Sequence, residues 1–259
     1  MERVLSQSST GCGSRLRIAC SQLRFERRAA RTSMVAAHTE LPLLVQRPRY
    51  GPRGEAIVTL LTPAAAYFNG DVVDLTVKCC SGSDVTLVTV GATRVNRGAT
   101  SFKLSAHVEA GAVLRHLPHE LIPFAGAEYV QQIELNLEAD AAAVLLDVVT
   151  PGRSDAAFAY AQLAFHTTVL LRGSLISREC FTMTPAVSSA LRGWTHYGSL
   201  LALGPQFDRA AADAADARLA RSGICSSAST LPSYGIVLKA LGASAQQVRE
   251  ALLCALAAS

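Results

Sequence analysis

Three successive stretches between residues 72 and 149 share one form, and that form decides the fold. The first is Val73-Asp74-Leu75-Thr76-Val77, then Ser81-Gly82-Ser83-Asp84, then Val85-Thr86-Leu87-Val88. The second is Phe102-Lys103-Leu104-Ser105-Ala106-His107-Val108, then Glu109-Ala110-Gly111-Ala112, then Val113-Leu114. The third is Ile133-Glu134-Leu135-Asn136-Leu137, then Glu138-Ala139-Asp140-Ala141, then Val144-Leu145-Leu146. Each is an alternating apolar run, a short turn of small and acidic residues, and a second apolar run. Leu75, Leu104 and Leu135 read as equivalent points, which sets a period of about thirty residues, within the range of stacked repeats. Alternation at every second position puts one strand face on a core and the other in water. The expectation is a mainly β protein built as a layered, superhelical stack of strands.

Outward from the repeats the pattern changes twice. Residues 14–36 and 41–62 read as strands joined by a polar link. Arg47-Pro48-Arg49-Tyr50-Gly51-Pro52-Arg53-Gly54 reads as a turn without regular pairing, because of its two prolines and two glycines. A hairpin is expected within residues 157–183, turning at Arg172-Gly173. Residues 206–221 are dense in alanine, with Asp208, Asp213 and Asp216 on a polar side, and predict a helix. The Ser-rich residues 222–233 read as a loop. Ser244 caps a second predicted helix, ending at residue 257, with Val248, Leu252 and Leu256 at helical spacing.

Composition sets further bounds. The chain has 259 residues, half of them apolar and 17% charged, enough to bury a substantial core. Its net charge of +4 is concentrated near the N-terminus, so the body is nearly neutral and nucleic acid is not the expected partner. The seven cysteines include no Cys-x-x-Cys pair, and idle thiols in a reducing, cytoplasmic setting are expected. No apolar run is long enough for a transmembrane helix. Residues 1–33 are Arg- and Ser-rich, as a transit peptide is, yet Arg15-Leu16-Arg17-Ile18 and Leu23-Arg24-Phe25-Glu26-Arg27 alternate as a strand would. The organisation expected is therefore a disordered tail over residues 1–13 and one domain over residues 14–259.

Chemistry-bearing motifs are sparse. His116-Leu117-Pro118-His119-Glu120 gathers two imidazoles and a carboxylate, ligands suited to zinc or nickel. In a strand His116 and His119 point to opposite faces, and only a turn at Pro118 would bring them together. There is no Gly-x-Ser-x-Gly elbow and no phosphate loop, since Gly91-Ala92-Thr93-Arg94 lacks the required glycine spacing and lysine. Asp71, Glu120 and Asp147 recur at the ends of apolar runs, where a carboxylate either lines a cleft or channel or serves as an ordinary turn residue. Spacing alone leaves both readings open and gives no catalytic centre.

In order along the chain, these blocks resemble the urease accessory protein UreD (UreH) family. The resemblance runs through Leu23-Arg24-Phe25-Glu26-Arg27-Arg28, Leu44-Val45-Gln46-Arg47-Pro48-Arg49-Tyr50 and the loop from Thr62-Pro63 to Asn69-Gly70-Asp71. It continues in Gly91-Ala92-Thr93-Arg94, Leu117-Pro118-His119-Glu120, Gly152-Arg153 and Gly235-Ile236-Val237-Leu238-Lys239-Ala240-Leu241-Gly242. Ala65 and Ala66 stand where the family has paired glycines, His116 where an aromatic is common, His119 at a glutamine position, Ala125 for an aspartate and Asp147 for a glutamate. Arg94 stands at the family's lysine, and the Gly-Glu pair expected after Gly152-Arg153 is missing.

The resemblance implies a non-catalytic chaperone of metallocentre assembly that binds apo-urease and works with UreF and UreG in nickel insertion. It implies no firmly bound cofactor, only nickel in transit, and no nucleic-acid or membrane partner. Asp71, Glu120 and Asp147 become candidate nickel-path residues, with Thr93 and Arg94 beside the path and His116 and His119 as further metal candidates. The alternatives are a diverged binding module that no longer serves urease, or a small metal-binding protein using His116, His119 and Glu120.

Overall fold

The structure is a computed structural model, and it describes residues 17–153, 155 and 157–256. The expected tail over residues 1–13 lies outside the described residues. Strands are numbered β1–β19 and helices α1–α3 along the chain.

One sheet has five strands running parallel: β1 (Arg17–Arg28), β7 (Asp71–Cys79), β10 (Gly98–Val108), β13 (Ala127–Leu137) and β15 (Gln162–Leu171). Antiparallel β2 (Arg31–His38) and β16 (Ser174–Met183) close its two edges. The second sheet is built on parallel β5 (Ala56–Leu61), β8 (Asp84–Thr89), β11 (Val113–His116) and β14 (Ala142–Val149). Short β3 (Leu44–Val45) and β4 (Arg49–Tyr50) flank β5. Beyond β14 this sheet turns antiparallel through β17 (His196–Leu203), β19 (Gly235–Gly242) and β18 (Cys225–Thr230). A third, narrow face is the ladder of β6 (Ala66–Tyr67), β9 (Thr93–Val95) and β12 (Leu121–Pro123). The chain thus winds through three faces per turn, as a solenoid does, for about three turns.

The repeat is 29 residues, since Leu75 pairs with Leu104 and Leu104 with Ile133. Leu135 is not the third member of that rung; it lies opposite Ala106, which lies opposite Val77. Positions two apart on a strand share a face, so alternation alone cannot separate them. The corners confirm the period. Gly82, Gly111 and Asp140 have φ of +68°, +66° and +58°, each inside a turn closed by the next residue's N–H to a carbonyl three back. Positive φ at the third turn position favours Gly, and Asp is among the few other residues that tolerate it.

Leu75, Leu104, Leu114 and Leu135 fill the space between the sheets and are fully buried. Each such side chain contributes about 2 kcal/mol on leaving water. A second core lies outside the solenoid, where α2 (Arg209–Leu219) and α3 (Ala245–Leu256) cover β14, β17 and β19. Gly198 allows this approach, since a Cβ there would stand 2.3 Å from a Val248 methyl. Strand β14 is consequently buried on both faces, which explains its nearly unbroken apolar sequence. Among the described residues one further helix, α1 (Val187–Ala190), is a single turn.

Several local expectations are corrected. The helix expected at 206–221 is shorter, beginning after Asp208, whose carboxylate caps the Ala211 N–H at 2.9 Å. The helix expected at 244–257 runs Ala245–Leu256, with Ser244 Oγ accepting from the Gln247 N–H at 3.2 Å. Residues 222–233 are not all loop: Cys225–Thr230 forms edge strand β18, whose small polar side chains are largely solvated and carry no apolar period. The segment 47–54 does pair, since Arg49 and Tyr50 fit between its two prolines and meet β5. The hairpin turn falls at Arg172-Gly173 as expected, with φ of +50° and +75°, the geometry of a tight two-residue hairpin.

Candidate functional site

Inside the solenoid, near the third face, the side chains leave a cavity of about 240 Å³. Its wall is mostly apolar, including Leu43, Leu60, Leu121, Val149, Phe102 and Phe165. A few polar groups converge on it: Thr93, Arg94, His116, His119, Gln131 and Asp147. Apolar cavities with a small number of placed polar groups are the usual form of a binding site.

Strand alternation places these groups. On β14, Ala143, Leu145 and Val149 join the inner core while Val144, Leu146 and Val148 join the helix-covered core. Asp147 follows the inward parity and lines the cavity. On the facing sheet Phe102, Gln131 and Phe165 form one rung across β10, β13 and β15. Gln131 Nε2 donates to Asp147 Oδ1 at 2.8 Å, and Tyr129 donates its hydroxyl hydrogen to Gln131 Oε1 at 3.2 Å. Burial raises the pKa of Asp147, opposed by the Gln131 hydrogen bond and by the charge of Lys239. A carboxyl held this way favours its proton more than a free aspartate does.

His116 is the middle of the inward rung Leu87–His116–Leu145. It is 3% exposed and stacks on Phe102, with ring centroids 6.0 Å apart and planes within 8°. Its Nδ1 is buried without a hydrogen-bond partner, and burial lowers its pKa to about 4. It is therefore a neutral imidazole near neutral pH. Tyr67, whose hydroxyl is pushed up to about 12 by burial, lines the same space.

The other expected site residues are dispersed. Asp71 starts β7, and its carboxylate accepts from the Phe68 N–H at 2.8 Å, so it closes a turn and does not line the cavity. Glu120 also lies outside the lining; its backbone carbonyl accepts from the Thr93 N–H at 2.8 Å, while its carboxylate stands 3.9 Å from His119 Nδ1. His119 is exposed, its N–H donating to Thr89 Oγ1 at 2.9 Å. The segment from Leu117 to Glu120 lies past the end of β11, with His119 at the exposed rim of the cavity, and Arg249 of α3 holds it by donating to the Leu117 and Pro118 carbonyls. His116, His119 and Glu120 are not brought together as a chelate. Among the described residues no group of three or more His, Cys, Asp and Glu side chains is placed to hold a metal ion. Thr93 and Arg94 do lie on the cavity wall, with Arg94 exposed at its outer side.

Gln131 and Tyr129 escaped the sequence reading. The available signal was parity: Gln131 interrupts the inward series of Tyr129, Ile133, Leu135 and Leu137. Lys239 likewise breaks the apolar run of β19.

Fold and site together define a class: a three-faced β-solenoid enclosing a small cavity with a half-buried carboxyl on its wall. The sequence matches the family model described as UreD urease accessory protein over residues 18–259, and the chain belongs to that family. Among similar proteins, the urease accessory protein UreD of Sorangium cellulosum is 30% identical over 251 residues, covering 91% of this chain and 78% of the relative. That of an Arthrobacter species is 26% identical over 239 residues, covering 84% of this chain and 82% of the relative. That of Cenarchaeum symbiosum is 32% identical over 149 residues, covering 55% of this chain and only about half (52%) of the relative. These relatives are named as accessory proteins, which supports a part in urease maturation. Among the described residues no helix is long and apolar enough to cross a membrane.

Proposed function

We propose that this chain is a non-catalytic scaffold of urease maturation, which binds apo-urease and acts with UreF and UreG while nickel is inserted. The observation that carries this reading is the family match over residues 18–259. Nickel is cargo here, not a resident cofactor. The cavity suits such cargo in kind, because a transit site needs few ligands that release the ion, where a closed Cys/His cage would trap it. Asp147 is the interior carboxylate of that path, Thr93 and Arg94 border its outer wall, and neutral His116 offers a single imidazole nitrogen. Asp71 serves the path only by fixing its turn, and Glu120 by fixing Thr93. Cytoplasmic action is supported by free thiols, among them the exposed Cys20, Cys180, Cys225 and Cys254.

The test is complementation of a urease-producing strain that lacks its own UreD-family protein, combined with pull-down of urease, UreF and UreG on this chain. Restored urease activity with co-purification supports the scaffold. A folded chain that retains none of these partners and restores no activity overturns it, and favours a binding module serving something else.

A further inference from the structure

Beyond Asp147 the second sheet carries a polar rung that the cavity does not explain. Asp147 of β14 pairs in register with Ser199 of β17, and Ser199 with Lys239 of β19. Paired residues on neighbouring strands project to the same face. The Lys239 ammonium donates to Ser199 Oγ at 2.8 Å, to the Tyr197 hydroxyl at 3.0 Å and to Glu179 Oε1. Glu179 belongs to β16, the edge of the other sheet, so the ion pair bridges the two sheets. An ammonium bonded to Ser199 lies about one strand spacing, roughly 5 Å, from the strand of Asp147. A four-carbon lysine side chain spans that distance by rotation about its own bonds.

We propose that Glu179 is a positioning residue that keeps Lys239 parked away from Asp147, leaving the carboxylate open to a divalent cation, and that Lys239 closes the site when Glu179 lets go. This rests on the reading that Asp147 receives the ion. The physical reason is charge. A lysine against Asp147 neutralises the carboxylate and repels an incoming dication, whereas a lysine against Glu179 has its own charge offset. The side chains of Lys239 and Glu179 are 35% and 38% exposed, so water can reach the pair and the lysine can exchange between partners.

The experiment uses the full chain, Ni²⁺ alone as probe, and the side-chain amide signal of Gln131, which Asp147 holds and which paramagnetic Ni²⁺ broadens. Glu179→Ala weakens the apparent Ni²⁺ affinity at this signal about tenfold, equivalent to 1.4 kcal/mol. Adding Lys239→Met to Glu179→Ala restores it. Unchanged affinity in Glu179→Ala overturns the proposal, as does a double variant no better than the single, which marks the pair as merely structural. A wild-type signal that Ni²⁺ leaves untouched, or a Ni²⁺ effect that survives Asp147→Asn, removes the ion-binding reading instead. A crystal structure of metal-free Glu179→Ala then decides the positioning role alone: Lys239 on Asp147 upholds it, and Lys239 still on Ser199 and Tyr197 overturns it.

Discussion

His116 shows how one residue can be legible in type and illegible in place. The sequence marks it as an imidazole in a cluster of polar residues, yet parity on β11 sends it inward, while His119 lies past the end of that strand with an exposed side chain. Its pKa falls from 6.5 to about 4 through burial, so the native state binds fewer protons than the unfolded chain between those values. Stability contributed by the neutral ring is therefore present above pH 6.5 and lost as the pH falls toward 4. Relative to His116→Phe, the wild type should lose about 3 kcal/mol over that window, read by urea unfolding at several pH values. Parallel curves for the two proteins would refute a buried neutral His116. Asp147 shares the cavity and shifts the opposite way, which is why the comparison is between proteins and not between pH values alone. Ala65 is a second case. It holds φ of +54°, at a place where the family resemblance gives glycine, a conformation that strains an alanine backbone. Ala65→Gly should raise the unfolding free energy by about 1 kcal/mol, net of the glycine's greater entropy when unfolded. A lower melting temperature would contradict it.

At the scale of elements, legibility followed the strength of the period. The three strand–turn–strand units were readable because alternation, turn chemistry and spacing coincide in each. Their exact register was not, since Leu135 and Ile133 are equally apolar and share a face. Helix α3 announced itself through Ser244 and the spacing of Val248 and Leu252, both fully buried. Ser244→Ala removes the acceptor of the Gln247 N–H and should cost about 1 kcal/mol, measured by thermal unfolding; no loss would mean the cap is dispensable. Strand β18 was hidden because an edge strand with solvated Ser and Thr side chains buries too little to impose a pattern. What holds it is backbone pairing with β19 and the Asp216 carboxylate of α2, which accepts from the Ala228 N–H at 2.8 Å.

For the whole molecule, three carboxylates at the ends of apolar runs suggested a shared interior path, and the fold keeps only one of them inside. Asp71 and Glu120 sit where strands begin or chains turn, while Asp147 lies mid-sheet between two cores. The distinction depends on which face each strand turns to the other sheet, which no single run of residues encodes. The signs that do survive in one dimension are polar residues breaking apolar runs: Gln131, Asp147 and Lys239. Because burial raises the Asp147 pKa, its ionisation opposes folding as the pH rises through that value, and Asp147→Asn should melt higher than wild type at neutral pH. The most direct measurement is the nickel content of urease purified after co-expression with UreF, UreG and Asp147→Asn. A more stable protein that still co-purifies with its partners, but leaves urease short of most of its nickel, is the predicted result. Urease fully loaded with nickel by that variant would contradict the central claim that the cavity at Asp147 carries the ion.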